Sequence, residues 1–368
     1  MTAKAAPTLI DAPPGRQGDG ADLVARPLTS PVRVAILGFG QIGRTHLDAL
    51  AGCPDAEVVA ISSHGGAPAD IPAAWHADYR ALIARPDVDL VAVCTPSGHH
   101  AAHAIAALEA GKGVVVEKPL ALTVADGERL VRTARERGLF LSVVSQRRTE
   151  PAIRSLHDAI AAGRLGRPVL GEALVRWSRD QPYYDSAAWR GTRAMDGGVL
   201  LNQAIHAIDL LCWLLGPVDE VSGATATLIR RMEAEDTAAA TLRFASGALG
   251  AITATTAAAH GLPAEVTIVC ERGVVSLHDA TVSRWEVPGV PAPPAVNTPG
   301  SGGSNPAAIG SLGHRRQWRD ILDAFRERRL PLVTGEDGLA TLATILAIEE
   351  AGRTGRTIRP AFTTRGDA

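Results

Sequence analysis

Aromatic residues are scarce in this 368-residue sequence, at 4 %, and neither sign of charge is in excess. Lys and Arg together number 37 and Asp and Glu 39, so the formal charge, 37 − 39, is −2. A protein that binds nucleic acid through its phosphates needs a basic excess, so we expect no nucleic-acid partner. The sequence also lacks a CxxC pair, because its four cysteines lie far apart, at Cys53, Cys94, Cys212 and Cys270. We therefore expect buried free thiols in a reducing compartment, without a disulfide framework or a metal site.

Long apolar runs are absent as well. No stretch is long and apolar enough to cross a bilayer, and the first residues lack the apolar core of a signal peptide. We expect a cytoplasmic protein with no membrane contact. Hydrophobic residues make up 46 % of the chain and charged residues 21 %, as in soluble globular proteins. At about 150 residues per domain, this length predicts about two domains.

The first half of the chain alternates short apolar runs with helical stretches. Residues 1–30 are rich in Ala, Pro and Gly and bury little apolar surface, so we expect a disordered tail there. Strands are predicted at residues 32–37, 57–61, 90–94, 114–117 and 140–144, and helices at 42–51, 78–84, 101–110 and 124–137. This alternation predicts a dinucleotide-binding Rossmann domain, a doubly wound parallel sheet, over residues 31–149.

After about residue 150 the pattern changes. Helices are predicted at residues 152–162, 201–215, 314–328 and 338–354, and strands at 169–178, 238–244, 248–256, 266–269 and 274–277. Tight turns join consecutive strands, which is typical of antiparallel pairing. We predict an α+β domain with a large, mostly antiparallel sheet over residues 150–360, which binds substrate and carries the oligomer contacts, and a short tail at 361–368.

A glycine-rich turn follows the first predicted strand and opens a helix. It comprises Gly38, Phe39, Gly40, Gln41, Ile42 and Gly43. A Gly-x-Gly-x-x-Gly pattern alone is weak evidence, but the strand before it and the helix after it are the confirming context. The first glycine permits the tight turn, the second lets the backbone approach a pyrophosphate, and the third permits close packing of helix and strand. We therefore predict that this turn binds a dinucleotide.

The second strand ends without the acidic residue that often binds the adenosine ribose. Ser62, Ser63 and His64 stand there instead. A carboxylate would repel a 2′-phosphate and hydroxyl groups would not, so NADP stays open beside NAD, although no nearby arginine favours it. We expect these residues to contact the cofactor; the alternative is that the two serines only cap a loop.

Two further strands end in motifs at the carboxyl edge of the sheet, where open α/β folds bind ligands. Thr95, Pro96 and His100 follow one strand, and Glu117 and Lys118 follow the next. No other lysine occurs from Gly113 onward. The cation of Lys118 could orient a hydroxyl group and stabilise a developing alkoxide. The alternative is that Lys118 is a solvated surface lysine. We expect all five residues to line the cofactor site.

Asn202 and His206 lie four residues apart in a predicted helix, on one face. Histidine accepts a proton near neutral pH, so His206 is a candidate general base, although a lone helical histidine is more often structural. Upstream, residues 177–192 are unusually dense in aromatic side chains for a chain with only 4 % aromatic residues. Aromatic faces and arginines suit a polyol, so we predict substrate contacts from Arg179, Tyr184, Trp189 and Arg190. The alternative is a structural loop that ties the domains together.

Together these motifs resemble the Gfo/Idh/MocA oxidoreductases, the family of glucose-fructose oxidoreductase and inositol 2-dehydrogenase. The likeness spans residues 32–358 and rests on the glycine turn with Arg44 and His46, on Thr95, Pro96 and His100, on residues 107–112, on Glu117, Lys118 and Pro119, and on Gly197 and Gly198 leading to His206 and Asp209.

The resemblance implies that Lys118 and His206 are catalytic. Many members carry an aspartate at the position of Asn202; asparagine relays no proton, so we expect Asn202 to bond a substrate hydroxyl in the catalytic site. The Asn-Gln-x-x-His pattern is similar to that of a subgroup acting on pyranosides and nucleotide sugars. The resemblance also places His314 near the substrate and implies a cis bond between Lys118 and Pro119.

We therefore predict an NAD(P)-dependent dehydrogenase that transfers a hydride between nicotinamide and a secondary hydroxyl of a sugar, inositol, glycoside or nucleotide sugar. One alternative is a glycoside-cleaving enzyme that uses NAD transiently without net oxidation. Another is a dinucleotide-binding redox sensor without catalysis. If the free face of the antiparallel sheet is apolar, it should pair with another subunit, so we expect a homodimer or homotetramer.

Overall fold

The structure is a computed structural model that describes residues 31–64, 71, 73–279, 281–294, 302–304 and 310–361. The tail predicted at residues 1–30 lies outside the described residues, as does the tail predicted at 361–368 apart from Ala361. Among the helices in the described ranges, none combines the length and the apolar character that a membrane crossing requires. Two sheets carry the architecture.

The first sheet has six parallel strands. They are β1 (Val32–Leu37), β2 (Ala56–Ser62), β3 (Ala74–His76), β4 (Leu90–Val93), β5 (Gly113–Val116) and β6 (Leu141–Val143). Their order, β3-β2-β1-β4-β5-β6, is that of a doubly wound nucleotide-binding sheet, which confirms the predicted Rossmann fold. Every residue of β4 and β5 is buried, because helices cover both faces, and this explains their uninterrupted apolar sequences.

The helices of this half lie close to their predicted positions. They are α1 (Gln41–Ala51), α2 (Tyr79–Ile83), α3 (His100–Glu109) and α4 (Val124–Arg137). Thr123 caps α4 by accepting a hydrogen bond from the backbone of Asp126, and Gly138 ends it with a positive φ of 63°. Strand β3 was not predicted, because three residues are too few to show a period.

The second sheet has seven strands and is mostly antiparallel, as predicted. They are β7 (Pro168–Arg176), β8 (Val218–Ala226), β9 (Thr237–Phe244), β10 (Leu249–Thr255), β11 (Glu265–Cys270), β12 (Gly273–His278) and β13 (Thr281–Glu286). The order is β13-β12-β11-β7-β10-β9-β8, and β7 with β10 is the parallel pair. Strands β8 and β13 were not predicted, because at the two edges they lack a regular apolar alternation.

Five helices complete the described fold. They are α5 (Pro151–Ala161), α6 (Gln181–Asp185), α7 (Ile205–Leu215), α8 (Leu312–Glu327) and α9 (Gly335–Thr354). Helix α7 packs on β7, and α9 packs on β8 while also contacting α4 and β6, so α9 binds the two sheets together. Helix α8 returns to the first sheet, where Trp318, Ile321 and Leu322 join the core around Val34 and Ile36.

The helix predicted at residues 201–215 begins differently from the expectation. Leu200–Ala204 forms a π-helical turn, and the α-helix starts at Ile205. Glu235 fixes this entrance, since its side chain accepts a hydrogen bond from the backbone of Leu200 and its backbone carbonyl accepts one from Val199. A widened turn of mostly apolar residues has no periodicity that separates it from an α-helix.

A buried ion pair holds the junction behind α7. The guanidinium of Arg148 donates to both carboxylate oxygens of Asp209, at 2.9 and 2.6 Å, and the hydroxyls of Ser145 and Thr341 donate to the same carboxylate. Asp209 lies on α7, Thr341 on α9 and Arg148 after β6, so one carboxylate fastens three segments. Removing one partner of such a pair leaves an uncompensated buried charge.

We expect Asp209→Asn, which keeps the shape but removes the charge, to lower the free energy of unfolding by about 3–5 kcal/mol. Urea unfolding followed by circular dichroism measures this loss. The matched control is Glu350→Gln, which breaks the exposed pair with Arg353 and should cost about 0–1 kcal/mol. Equal losses in the two variants would show that the buried pair does not secure the junction.

Candidate active site

The glycine turn has the backbone geometry that a pyrophosphate site requires. Gly38 has a φ of +97°, and a Cβ there would lie 2.6 Å from the carbonyl oxygen of Cys94. A Cβ on Gly43 would lie 2.2 Å from the carbonyl oxygen of Gly38. Both positions therefore exclude any side chain. At Gly40, by contrast, a Cβ would meet nothing within 4 Å, so the second glycine borders open space.

That open space lies at the N-terminus of α1. Gly40 occupies the cap position, no side chain caps the helix, and its first turn, which begins with Gln41 and Ile42, contains no acidic residue. The amide groups there are available to an anion, and the helix dipole favours negative charge. Phe39 is buried against Trp75, which anchors the turn to β3. The residues present fit a dinucleotide pyrophosphate.

The end of β2 carries the residues predicted at the ribose. Ser62 is buried, and its carbonyl accepts a hydrogen bond of 2.8 Å from the backbone of Gly38, which ties the strand end to the turn. Ser63 is half-buried and donates from its backbone to His76, and His64 is exposed. These three positions supply hydroxyl and imidazole groups and no carboxylate at this edge.

His100 joins the two other strand-end motifs. Its ring is buried between two carbonyl oxygens, with Nε2 2.8 Å from that of Thr95 and Nδ1 2.7 Å from that of Pro119. Pro96 separates Thr95 from the short 3₁₀ turn that leads into α3. The Lys118–Pro119 bond is cis, as the resemblance implied. His100 thus fixes the distance between the loop after β4, at Thr95, and the loop after β5, at Lys118 and Pro119 (the lysine loop).

Glu117 lies beneath the lysine in a buried cluster with His46 and His314, whose potential ligand atoms all lie within 4.8 Å of one another. Trp318 donates its indole N–H to Nδ1 of His46 at 2.9 Å, so the neutral ring carries its proton on Nε2. That Nε2–H donates to Glu117 at 2.8 Å. A metal ion would need the same nitrogen as a lone-pair donor, so this donor set favours a hydrogen-bonded carboxylate over a metal centre.

The electrostatics of the cluster agree with this assignment. Burial by itself would raise the pKa of Glu117, but hydrogen bonds from His314 and His46 hold that pKa well below its usual range. Burial lowers the pKa of His46, so its ring stays neutral. The second oxygen of Glu117 accepts the backbone N–H of Lys118 at 3.0 Å. An ionised carboxylate thus fixes the backbone that presents the lysine.

The ammonium group of Lys118 reaches from the first sheet to the second half of the chain. Its Nζ donates to the backbone carbonyl of Asn202 at 2.8 Å and lies 3.5 Å from the side-chain oxygen of the same residue. Burial lowers the pKa of Lys118, while the carboxylates of Glu117 and Asp196 raise it. An ammonium has three N–H donors, so at least one remains for a ligand oxygen.

His206, in the first turn of α7, lines one small pocket together with Lys118. Within the described ranges, no residue forms a hydrogen bond to its ring. Burial lowers the pKa of His206 well below its usual value, and the positive charge of Lys118 lowers it further. The imidazole is therefore neutral at physiological pH and free to accept a proton. The structure thus brings an amine and an imidazole to the wall of one pocket.

The side chain of Asn202 has protein partners. Its amide nitrogen donates to Asp196 at 2.5 Å, and its amide oxygen faces Lys118. Asp196 is only 2 % exposed, and its other oxygen accepts the backbone N–H of Gly191 at 2.8 Å. Sequence reasoning missed Asp196, because it lies six residues before Asn202, across a glycine pair, at a spacing that no helix period connects.

The aromatic-rich segment divides into two groups. Arg179 is buried and donates to the carbonyls of Ser178, Gly302 and Gly303, and the hydroxyl of buried Tyr184 bonds Thr256, so both hold the loop together. Arg190 lies over the rings of Trp189 and Tyr183, at 4.6 and 4.4 Å from their centroids. Tyr183, which the sequence analysis did not assign to the site, is half-buried and lies beside Arg190 and Asp196.

His314, at the start of α8, is 4 % exposed, with Nε2 3.5 Å from Glu117. Its ring packs edge-on against His46 at 5.2 Å. His314 therefore lies below the lysine loop, as part of its support.

Comparisons with known proteins agree with this geometry. Residues 32–145 match the model of an oxidoreductase family with an NAD-binding Rossmann fold, and residues 153–276 match the GFO/IDH/MocA C-terminal domain. The chain is 32 % identical to 1,5-anhydro-D-fructose reductase of Ensifer adhaerens over 75 % of this chain and 80 % of the relative. The chain belongs to the GFO/IDH/MocA family.

Two further members illustrate the range of this family. Myo-inositol 2-dehydrogenase of Thermotoga maritima is 30 % identical over 66 % of this chain and 74 % of its own. The crystal structure of the WlbA dehydrogenase from Bordetella pertussis, in complex with NADH and UDP-GlcNAcA, is 35 % identical, covers 89 % of this chain and 98 % of its own, and has a TM-score of 0.80. The first half of the chain is thus an NAD-binding domain, and the protein is an oxidoreductase.

We expect Gly40→Ala to fold normally but to weaken NADH binding by about tenfold or more. The added methyl meets no protein atom, yet it occupies the space that a phosphate would use, and a hydrogen bond to a charged group contributes about 1.5–3 kcal/mol. Fluorescence titration with NADH measures the affinity, and thermal unfolding checks the fold. Thr45→Ala, half-buried one turn further along the same helix, is the control and should bind normally. Unchanged affinity in Gly40→Ala would place the cofactor elsewhere.

Proposed function

We propose that the protein is an NAD-dependent dehydrogenase that oxidises a secondary hydroxyl of a sugar, inositol, glycoside or nucleotide sugar. The observation that carries this proposal is that Lys118, which follows β5 at the carboxyl edge of the NAD-binding sheet, and His206, on α7, both line one small pocket. A cation and a neutral imidazole at one pocket are the two groups that alcohol oxidation requires: one for the oxygen and one for its proton.

The relatives support this class of substrate. Those named act on an anhydrofructose and on myo-inositol, and the solved dehydrogenase from Bordetella pertussis binds UDP-GlcNAcA beside NADH. The last of these is similar over nearly its whole length, so nucleotide sugars are the first compounds to test. Arg190 and Tyr183 are half-buried and hydrogen-bonded to each other, and Arg190 is near enough to Lys118 to affect its pKa, so they are the candidates for contact with hydroxyl or carboxylate groups of such a ligand.

In the oxidation, His206 acts as the general base. Its neutral ring accepts the proton of the substrate hydroxyl on a ring nitrogen that is free of protein hydrogen bonds in the described part of the chain. The lowered pKa keeps the ring in this accepting form at and below neutral pH. In the reverse reaction the same ring, once protonated, returns the proton to the alkoxide oxygen.

Lys118 binds and orients the oxygen of the substrate. One N–H group holds Asn202 and fixes the amine in place, and a remaining N–H group donates to the hydroxyl oxygen and stabilises the negative charge that develops on it. When bound at the glycine turn, NAD supplies the two-electron acceptor. Glu117 and His100 fix the position of the lysine loop relative to the carboxyl edge of the first sheet, through contacts with the backbone of Lys118 and Pro119.

The cysteines support a cytoplasmic location, which we include in the proposal. Cys53, Cys94 and Cys270 are buried free thiols. Burial raises the pKa of each, so the thiols stay protonated and unreactive. Such thiols suit a reducing compartment.

We expect His206→Ala and Lys118→Ala each to lower kcat for oxidation about 10²- to 10⁴-fold, because each removes a group that acts on the reacting oxygen. NADH formation with nucleotide sugars, inositols and glycosides measures it. Because the pKa of His206 is depressed, the wild-type oxidation rate should persist as pH falls below 6.5 and decline only at lower pH. That decline should be absent in His206→Ala.

The control variant is His278→Ala, an exposed histidine at the far end of β12. It should retain full activity. Substrate consumption without accumulation of NADH would instead indicate a redox-neutral reaction, and near-normal turnover in either site variant would reject the assigned roles.

We further propose that the open face of the second sheet joins two copies of the chain. One face carries α7 and α9. On the other, Leu249, Leu170, Val269 and Val274 stand side by side on four neighbouring strands, as the register of the ladders shows. An apolar row that is half-exposed among the described residues suits a self-complementary contact, in a homodimer or a homotetramer.

We expect Leu170→Glu to convert the oligomer to monomers, because the introduced carboxylate would be buried without a partner. Sedimentation velocity at micromolar concentration measures the change. Thr281→Glu, exposed on the edge strand β13, is the control and should leave the oligomer intact. A wild-type chain that sediments as a monomer would contradict the proposed interface.

A further inference from the structure

We propose that Asp196 is a positioning residue that holds and charges the amine of Lys118 by way of the side chain of Asn202. This inference rests on the proposed function, since it concerns the same pocket. It adds to that site a residue that neither the motifs nor the family match assigns.

The geometry forms a chain of three groups. The carboxylate of Asp196 is buried, with one oxygen held by the backbone N–H of Gly191 and the other by the amide nitrogen of Asn202. The amide oxygen of Asn202 then lies 3.5 Å from Nζ of Lys118, whose ammonium also donates to the Asn202 carbonyl at 2.8 Å. Anion, amide and cation follow one another in line.

The chemistry of the Asn202 amide fixes its orientation between Asp196 and Lys118. A carboxylate only accepts hydrogen bonds and an ammonium only donates them, so the NH₂ group of Asn202 must face Asp196 and its oxygen must face Lys118. Oriented this way, the amide dipole lies along the field between the two charges and stabilises both. Asparagine carries no proton itself, but it places the charge of Asp196 behind the amine.

The other nearby carboxylate, Glu117, also raises the pKa of Lys118, and by more than Asp196 does, but it does not act through Asn202. Glu117 binds His46, His314 and the backbone N–H of Lys118, so its oxygens support the loop from below. Among the described residues, the charged and titratable groups that act on the amine include Glu117, Asp196, Arg179, Arg190, His206 and His100. Burial lowers the pKa of Lys118 most, and the two arginines lower it further. Asp196 is the anion that contacts the side chain of Asn202, whose amide oxygen lies 3.5 Å from the amine.

The same arrangement explains why an amide suits position 202. A carboxylate there would lie against Asp196, and two adjacent buried anions repel each other. Asp196 with Asn202 is therefore a matched pair, in which one negative charge and one amide can exchange places while the total charge and the number of hydrogen-bonding groups stay the same. This symmetry makes the proposal testable by a swap.

The pKa of Lys118 can be measured directly, because the protein contains few lysines. Lysine occurs only at positions 4, 112 and 118. NMR of protein labelled with [ε-¹³C]lysine therefore shows at most three side-chain signals, and Lys118→Arg identifies the one from Lys118. Lys112, which donates to the carbonyls of Arg85 and Val88, is an internal reference in the same spectra.

We expect Asp196→Asn to lower the pKa of Lys118, so that the ammonium loses its proton about tenfold more readily, while Lys112 titrates as in the wild type. In the swap variant, Asp196→Asn with Asn202→Asp, the pKa of Lys118 should return toward the wild-type value. An unchanged pKa in Asp196→Asn would overturn the proposal. A lowered pKa that the swap fails to restore would show that Asp196 does not act through position 202, and would overturn it too.

The variant Asn202→Ala keeps the test decisive if Asp196→Asn does not fold. It removes the amide that connects Asp196 with the amine and should lower the pKa of Lys118, and an unchanged pKa would count against the proposed connection. None of these titrations requires a substrate. If the wild type oxidises no carbohydrate, the proposed function fails while the titration still decides the role of Asp196.

Where a substrate is found, kinetics add a second readout. Asp196→Asn should lower kcat about tenfold with little change in KM, shift the alkaline limb of the pH profile to lower pH, and recover in the swap variant. A residue with a merely structural role would not move that limb.

Discussion

The hydrogen bond from the amine of Lys118 to the backbone carbonyl of Asn202 is the contact on which the site depends. It joins the carboxyl edge of the first sheet to the π-helical turn that leads into α7, and so brings together groups from two halves of the chain. Both ends are supported by buried polar groups: Glu117 behind the lysine, and Glu235 and Asp209 along the helix. Placement of one cation thus requires ordered packing on both sides.

The fold could be read from the sequence where burial imposes a regular period. Strands β4 and β5 were predicted because burial on both faces gives them continuous apolar sequences. Helix α4 was predicted because its capping residues, Thr123 and Gly138, lie directly at its ends. Strands β3, β8 and β13 could not be, because they are short or lie at sheet edges, where pairing with a neighbour and not apolar periodicity makes the strand. The π-helical turn was hidden for a related reason: it depends on Glu235, which is distant in sequence.

The site divides in the same way. The glycine turn, Lys118 and His206 were predicted because each carries chemistry in a local motif, and the structure shows the lysine and the histidine at one pocket. Asp196 and Tyr183, which lie beside Asn202 and Arg190, were not predicted, and Arg179 and Tyr184, which were predicted to contact the substrate, hydrogen-bond within the loop to Gly303 and Thr256. Tertiary packing decides which aromatic or charged side chain of a dense segment faces the pocket. The spacing of residues in the sequence does not reveal that packing.

Helix α8 has a consequence for how the molecule is made. It belongs to the last part of the chain, yet Trp318 completes the core against His46, and Gln317 bonds the backbone of Val143 and Ser145 at the end of β6. During synthesis, the core on this face of the first sheet is therefore incomplete until nearly the entire polypeptide has left the ribosome, since among the described helices α1 alone covers it before α8 is made. The last part of the chain thus completes the packing of the first half.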